Sequence, residues 1–130
     1  MNEPLTAAVT LLALVLHLVT TAIVGRARVR YGIRAPAVAG NEHFERAYRV
    51  QMNTLEQMMF FVPALWLCAL LLSDRAAAVL GLVWVIARGF YAVAYLREPA
   101  SRGLPVVVSM LAQAALFLGA AVGLVRALIP

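Results

Sequence analysis

The stretch FERAYRVQMNTLEQ, residues 44–57, decides the fold, because it runs without a break into the apolar stretch MMFFVPALWLCALLL, residues 58–72. If the two stretches form one helix that enters a bilayer, Arg49 lies at the membrane edge, and Asn53 and Glu56 lie inside it. Their spacing of i, i+4 and i+7 places the three side chains on one stripe of that helix. Polar and charged groups at membrane depth are expensive and normally face a bundle interior or a cavity. The stripe therefore predicts a buried polar site.

The composition indicates a membrane protein. The chain of 130 residues is 64% hydrophobic, with a mean hydropathy of +0.88, which is too apolar for an ordinary soluble domain. Four apolar stretches are each long enough to cross about 30 Å of hydrocarbon. We predict one all-α domain over residues 1–130, an integral membrane four-helix bundle. The spans are predicted at residues 5–24, 50–72, 76–95 and 104–125, with the second helix beginning before the membrane near residue 42.

The positive charge is carried by arginine alone, and the formal net charge is +5. Eight arginines flank the first and third predicted connections, whereas Arg75 and Arg126 lie on the opposite side and Arg88 lies within the third span. Positive residues favour the cytoplasmic side. We therefore expect connections one and three in the cytoplasm, and the inner membrane as the location if the protein is bacterial. Because the arginines follow helix ends rather than a soluble basic patch, we expect no nucleic-acid partner.

A second polar group lies on the third predicted helix. Arg88, Tyr91 and Tyr95 are spaced i, i+3 and i+7 and share one face. Arg102 follows at the same end of the membrane, and Arg28 reaches that end from the first helix. Guanidinium groups present planar forks that suit bidentate carboxylate binding. This convergence predicts an anionic ligand with more than one carboxylate, and Glu56 could hold an ammonium group of the same ligand.

Each of these residues also has a simpler interpretation. Arg49 and Glu56 could be an interhelical ion pair that holds the bundle together. Tyr91 and Tyr95 could belong to the aromatic belt at the membrane interface, and Arg102 could be an arginine that sets membrane topology.

In these residues the chain resembles the family of membrane-associated proteins in eicosanoid and glutathione metabolism (MAPEG). The resemblance covers nearly the whole chain and is sharpest in FERAYRVQMNTLEQ, in ARGFYAVAYLR (residues 87–97) and at Arg102. It implies a homotrimer of four-helix subunits, with glutathione as co-substrate bound between adjacent subunits and with no metal. The positions that match glutathione contacts are Arg28, Arg49, Gln51, Asn53, Glu56, Tyr91 and Tyr95. Arg88 joins them through the face that it shares with the two tyrosines.

The resemblance also implies a reaction. Arg102 matches the arginine that stabilises the glutathione thiolate in the leukotriene synthase branch, so it is the predicted catalytic residue. Gln57 departs from that branch, which has a tyrosine at this position, and this favours a bacterial or general detoxification member. The expected function is a membrane-bound glutathione transferase or peroxidase-type enzyme. Its activated thiolate would attack a lipophilic electrophile that arrives from the membrane lipids.

Two other classes of protein have a similar length and helix count. A non-catalytic lipid-binding or scaffold protein of the same fold could dispense with the arginines and the carboxylate, which this chain retains. A small drug exporter would need a titratable carboxylate at the membrane midplane, usually on its first helix, and residues 5–24 contain none.

Overall fold

The computed structural model describes residues 2–129 and contains four long helices. They are α1 (Pro4–Tyr31), α2 (Glu42–Leu71), α3 (Asp74–Arg97) and α4 (Gly103–Leu128), and a 3-10 turn, Pro99–Arg102, joins α3 to α4. All four helices are long and apolar enough to cross a membrane. The predicted all-helical fold with four membrane-length helices is confirmed.

The chain itself marks the helix ends. α1 stops at Gly32, whose φ of 68° lies in the left-handed region that glycine adopts without steric cost. α2 begins after Asn41, whose side-chain oxygen accepts hydrogen bonds from the backbone N–H groups of His43 and Phe44 at 2.9 and 3.1 Å. α3 is capped in the same way by Ser73. These caps fix where α2 enters the bundle and therefore the depth of its polar stripe.

The bundle is built around α2 and α3. α1 packs on both of them, and so does α4, while α2 and α3 also pack against each other. At the centre the ring of Phe61 stacks on the indole of Trp84, with 3.8 Å between ring centroids and an angle of 4°. The indole N–H donates to Oε1 of Gln113 at 2.7 Å, so α3 and α4 are joined by a buried hydrogen bond. Cys68 is a buried free thiol in the same core.

Most large side chains on the outer faces of the helices are apolar. The exposed residues include Leu11, Leu18, Met59 and Phe90, each of which is more than 60% exposed. In water such a surface would drive aggregation, whereas in a bilayer it contacts lipid tails as apolar as itself. The polar groups are instead concentrated inside the bundle and near one end of it, where the site lies.

Close packing of α4 on α2 leads to the first prediction. A Cβ atom at Gly123 would collide with the carbonyl oxygen of Leu71, whereas at Gly89, which is also in a helix, nothing in the subunit lies within 4 Å of such an atom. We expect Gly123→Ala to cost about 1–3 kcal/mol through overpacking. Gly89→Ala should be neutral or slightly stabilising, because alanine favours a helix over glycine by about 1 kcal/mol. Thermal unfolding in detergent measures the difference, and equal melting temperatures for the two variants would contradict it.

Candidate functional site

A polar cavity of about 340 Å³ lies where α2, α3 and the start of α4 meet. Asn53 lies on its α2 side, one turn deeper in the bundle than Arg49, and the polar face of α3 lies opposite. We call this space the polar cavity. Its lining residues come from α2 (Arg49, Asn53, Gln57), from α3 (Arg88, Tyr91, Tyr95) and from the 3-10 turn and α4 (Arg102, Val106, Met110).

Arg88 is the most deeply buried charged residue, with 2% of its surface exposed. One guanidinium nitrogen, Nη2, donates to Oδ1 of Asn53 at 2.7 Å and lies 3.3 Å from Oγ1 of Thr54. The guanidinium carbon lies 4.0 Å from the ring centroid of Tyr91, close enough for a cation–π contact. Within residues 2–129 Arg88 forms no ion pair, and its Nε has no hydrogen-bond partner. A buried cation that is satisfied only by neutral groups leaves a positive potential in the cavity beside it.

The contact between Arg88 and Asn53 has a further consequence for the cavity. Because Oδ1 of Asn53 accepts from the guanidinium, this oxygen is occupied by a protein donor. The amide nitrogen of Asn53 carries two N–H donors and remains for other partners. Asn53 therefore offers the polar cavity a hydrogen-bond donor rather than an acceptor, which again suits an anion.

The other end of the cavity is walled by aromatic rings and a second arginine. The rings of Tyr91 and Tyr95 are 5.7 Å apart at an angle of 39°. Arg102, the last residue of the 3-10 turn, places its guanidinium carbon 5.3 Å from the Tyr95 ring centroid. Unlike Arg88, Arg102 is solvent-exposed. The second arginine thus lies at the open end of the cavity, where a ligand would enter.

Arg49 and Glu56 do not form an interhelical ion pair, so that interpretation is wrong. Both residues belong to α2, and their closest nitrogen and oxygen atoms are 3.5 Å apart. The two side chains are 52% and 51% exposed in the single subunit, so the polar stripe is only partly buried. The pair cannot join two helices because both residues lie on one helix, about two turns apart. Arg49 lines the polar cavity, whereas Glu56 lies outside its lining.

Arg28 and Gln51 are also outside the lining of the polar cavity in the same subunit. The Arg28 guanidinium donates to the carbonyl oxygen of Ala37 at 2.8 Å, in the connection between α1 and α2. Gln51 donates from Nε2 to Oγ1 of Thr21 at 3.0 Å, toward α1. Of the nine site residues predicted from the sequence, six therefore meet in one cavity, and these two together with Glu56 lie elsewhere on the subunit.

Three residues of the cavity lining were missed in the sequence. Gln57 stands i+4 from Asn53 and i+8 from Arg49, so it lies on the predicted polar stripe, and that spacing was available as a signal. Val106 and Met110 form an apolar wall from α4. Nothing in their local sequence separates them from the lipid-facing residues of the same helix.

The chemistry of the polar cavity follows from its lining. Three guanidinium groups, two phenols and two side-chain amides surround it, and none of its lining residues carries a carboxylate. The apolar wall formed by Val106 and Met110 adjoins these polar groups. The cavity is therefore suited to a compact ligand with several negative charges, in contact with an apolar partner.

Comparisons with known proteins give the family of the chain. The chain matches the model of the MAPEG family over residues 6–122. An uncharacterized protein of Synechocystis sp. is 46% identical over 114 residues, which are 88% of this chain and 83% of that protein. Leukotriene C4 synthase of Bos taurus is 35% identical over 126 residues, 97% of this chain and 84% of the synthase. Microsomal glutathione S-transferase 2 of Homo sapiens is 36% identical over 90 residues, 69% of this chain and 61% of the transferase.

Proposed function

This chain belongs to the MAPEG family, and from that membership we propose that it is a membrane-bound, glutathione-dependent transferase. It binds glutathione in the polar cavity and activates the thiolate for attack on a lipophilic electrophile, in a detoxification-type reaction. The observation that carries the proposal is the set of three cavity arginines without a carboxylate among the lining residues.

The charges of glutathione complement those of the cavity. The tripeptide carries two carboxylates and one ammonium group, and a third negative charge appears when its thiol ionises. Arg49 and the amide of Asn53 suit the carboxylates, because guanidinium and amide N–H groups donate to carboxylate oxygens. Glu56, 3.5 Å from Arg49 at the edge of the same stripe, is the acceptor for the ammonium group. Arg88 is a positioning residue, because its guanidinium group contacts Asn53 and Tyr91 and holds them in place.

Arg102 is the proposed activator of the thiol. A free cysteine thiol titrates near pH 8.5, and only its thiolate is a good nucleophile. A guanidinium within hydrogen-bonding reach favours the anion, most strongly where water is excluded. The thiol proton leaves to solvent at the open end of the cavity. The sulfur then uses a lone pair to form the bond to the electrophilic carbon, whose leaving group departs with the electrons of the broken bond.

The electrophile reaches the cavity from the lipid side. Val106 and Met110 place an apolar wall beside the polar groups, so a hydrophobic molecule could approach the sulfur without crossing water. The electrophile is thus dissolved in the membrane lipids and enters the cavity directly from them.

We further propose that the working unit is a homotrimer. Arg28 and Gln51 match the family positions that contact glutathione, yet both lie outside the cavity lining of their own subunit. The half-exposed Arg49 and Glu56 leave the polar stripe open on one side. A neighbouring copy that brings Arg28 and Gln51 to this opening accounts for both observations. From the arginine distribution we also propose that the two arginine-rich connections lie in the cytoplasm, which places the protein in the inner membrane if it is bacterial.

Asn53→Asp tests the binding site with an isosteric change. The new carboxylate would pair with Arg88, remove the amide donors and bring a negative charge toward the ligand. We expect glutathione to bind about tenfold to a hundredfold more weakly, the usual value of a hydrogen bond to a charged group. Calorimetry on the detergent-solubilised protein measures the affinity, with Cys68→Ala as a control in the core away from the cavity. Equal affinity in wild type and Asn53→Asp would remove Asn53 from the site.

Arg102→Ala tests the activation of the thiol. We expect glutathione affinity to stay largely unchanged, because Arg49 and Asn53 hold the carboxylates, and turnover to fall about tenfold to a thousandfold. Without the cation the bound thiol needs a higher pH to ionise, so turnover of the variant should rise with pH where the wild type has levelled off. The ultraviolet absorbance of bound thiolate against pH reports this directly. The same thiolate titration in both proteins would exclude Arg102 as the activator.

The shared site can be tested by mixing two inactive subunits. If each cavity takes Arg102 from one subunit and Arg28 from its neighbour, co-expressed Arg28→Gln and Arg102→Gln chains form some cavities with both arginines intact. We expect such mixed trimers to regain activity that neither variant has alone. Native mass spectrometry verifies that mixed trimers form. Mixed trimers that show only the summed residual activities would contradict a site between subunits.

A further inference from the structure

A second cavity, a groove of about 660 Å³ between α3 and α4, is larger than the polar cavity of about 340 Å³. Its lining combines the small side chains of Ala87 and Ala94 with the large apolar side chains of Phe90 and Leu104. Phe90 is 65% exposed and Leu104 is 75% exposed, so these two side chains are left largely uncovered by residues 2–129. We call this surface the outer groove.

The outer groove and the polar cavity lie on different sides of α4. Leu104 and Val108 face the groove, whereas Val106 and Met110 face the cavity. Two arginines near the 3-10 turn also belong to different sites. Arg97 lines the groove, and Arg102 lines the polar cavity. The groove is therefore a separate site rather than an extension of the polar cavity.

The outer groove has the length of a lipid chain. Its α3 wall runs from Val83 to Arg97, which at 1.5 Å per residue is about 21 Å. One leaflet of a bilayer contributes about 15 Å of hydrocarbon. Ile86, Phe90, Val93 and Arg97 are spaced i, i+4, i+7 and i+11, so an apolar stripe continues along one face of α3 until it meets a guanidinium.

The polar end of the groove carries an available positive charge. Arg97 is exposed at the last turn of α3, and it forms no ion pair within the part of the chain that the structure describes.

Ser101, also at this end, is occupied, since its hydroxyl donates to the carbonyl oxygens of Glu98 and Ala94 at 2.7 and 3.3 Å. Arg46 approaches from α2 and donates to the carbonyl oxygen of Arg97 at 3.2 Å, but its charge is paired with Glu42. The neighbouring carboxylate of Glu98 is exposed and does not line the groove. Arg97 is thus the cation that a head group in this groove would meet.

We propose that the outer groove is a binding site for one phospholipid with an anionic head group. One acyl chain lies on Ala87 and Ala94 beside Phe90, and the phosphate contacts the guanidinium of Arg97. Apolar contact along α3 provides affinity for any lipid tail, while the charge at its end selects an anionic head group over a zwitterionic one. This site does not depend on the proposed function, because none of its residues lines the polar cavity.

Native mass spectrometry of the delipidated protein in detergent tests the proposal. The probes are phosphatidylglycerol and phosphatidylcholine with the same two oleoyl chains, so that only the head group differs. We expect the wild type to bind phosphatidylglycerol about fivefold more tightly, which is the contribution of one arginine near an anionic lipid. Arg97→Gln should remove that preference and leave binding of phosphatidylcholine unchanged. Ala94→Phe should weaken binding of both lipids by filling the groove.

Matched controls separate this site from general attraction between lipids and a basic protein. Arg75→Gln removes an arginine at the opposite end of α3 and should preserve the preference for phosphatidylglycerol. Arg102→Gln should also preserve it, although it impairs the polar cavity. A preference that survives in Arg97→Gln, an equal loss in Arg75→Gln, or unchanged lipid binding in Ala94→Phe would each overturn the proposal.

Discussion

The buried guanidinium of Arg88 is the constraint on which the arrangement of the site depends. A charged group at membrane depth is tolerated only when protein groups solvate it, and here they come from both of the central helices. Asn53 and Thr54 on α2 accept from Arg88, and the ring of Tyr91 on its own helix covers it. Any rotation or shift of α2 against α3 would separate Arg88 from Asn53 and Thr54. The contact that solvates the charge therefore also fixes the register of the two helices.

The same contact determines what the cavity can bind. Arg88 occupies the oxygen of Asn53 and leaves the amide donors for a ligand, and no carboxylate neutralises its charge within the described residues. Arg102 adds a second cation without an ion pair in the described residues, and Arg49 adds a third, which lies 3.5 Å from Glu56. Such a concentration of like charge is unfavourable by itself and becomes favourable when an anion occupies it. Relief of this repulsion would contribute to the affinity that we propose for glutathione.

The sequence predicted much of this arrangement because membrane helices obey simple rules. Four apolar stretches predict four helices. A stripe of polar residues on an otherwise apolar helix is expected to face inward. Spacing alone therefore predicted the α2 stripe with Arg49 and Asn53, and the α3 face with Arg88, Tyr91 and Tyr95. Gln57 lies on the same stripe, i+4 from Asn53, so its place in the cavity lining was also predictable from spacing. The interpretation of Arg49 and Glu56 as an interhelical ion pair was wrong. Two opposite charges on one stripe of a helix can pair along that helix as well as with a neighbouring helix. Spacing along one helix also cannot tell what Arg28 and Gln51 contact, since Arg28 bonds to the connection after α1 and Gln51 bonds across to α1. The outer groove could not be predicted either, because it depends on how far apart α3 and α4 lie. No local sequence pattern determines that distance.

We propose that the positive charge of the polar cavity selects the carboxylates of glutathione. Calorimetry that compares glutathione with its diethyl ester on the detergent-solubilised protein tests this most directly, because the ester retains the thiol and the ammonium group while it neutralises both carboxylates. We predict one binding site per cavity for glutathione and affinity for the ester lower by at least about a hundredfold, since two charged hydrogen-bonding groups are lost at about 1.5–3 kcal/mol each. Equal affinities for the two compounds, or no binding of glutathione to the folded protein, would contradict the account.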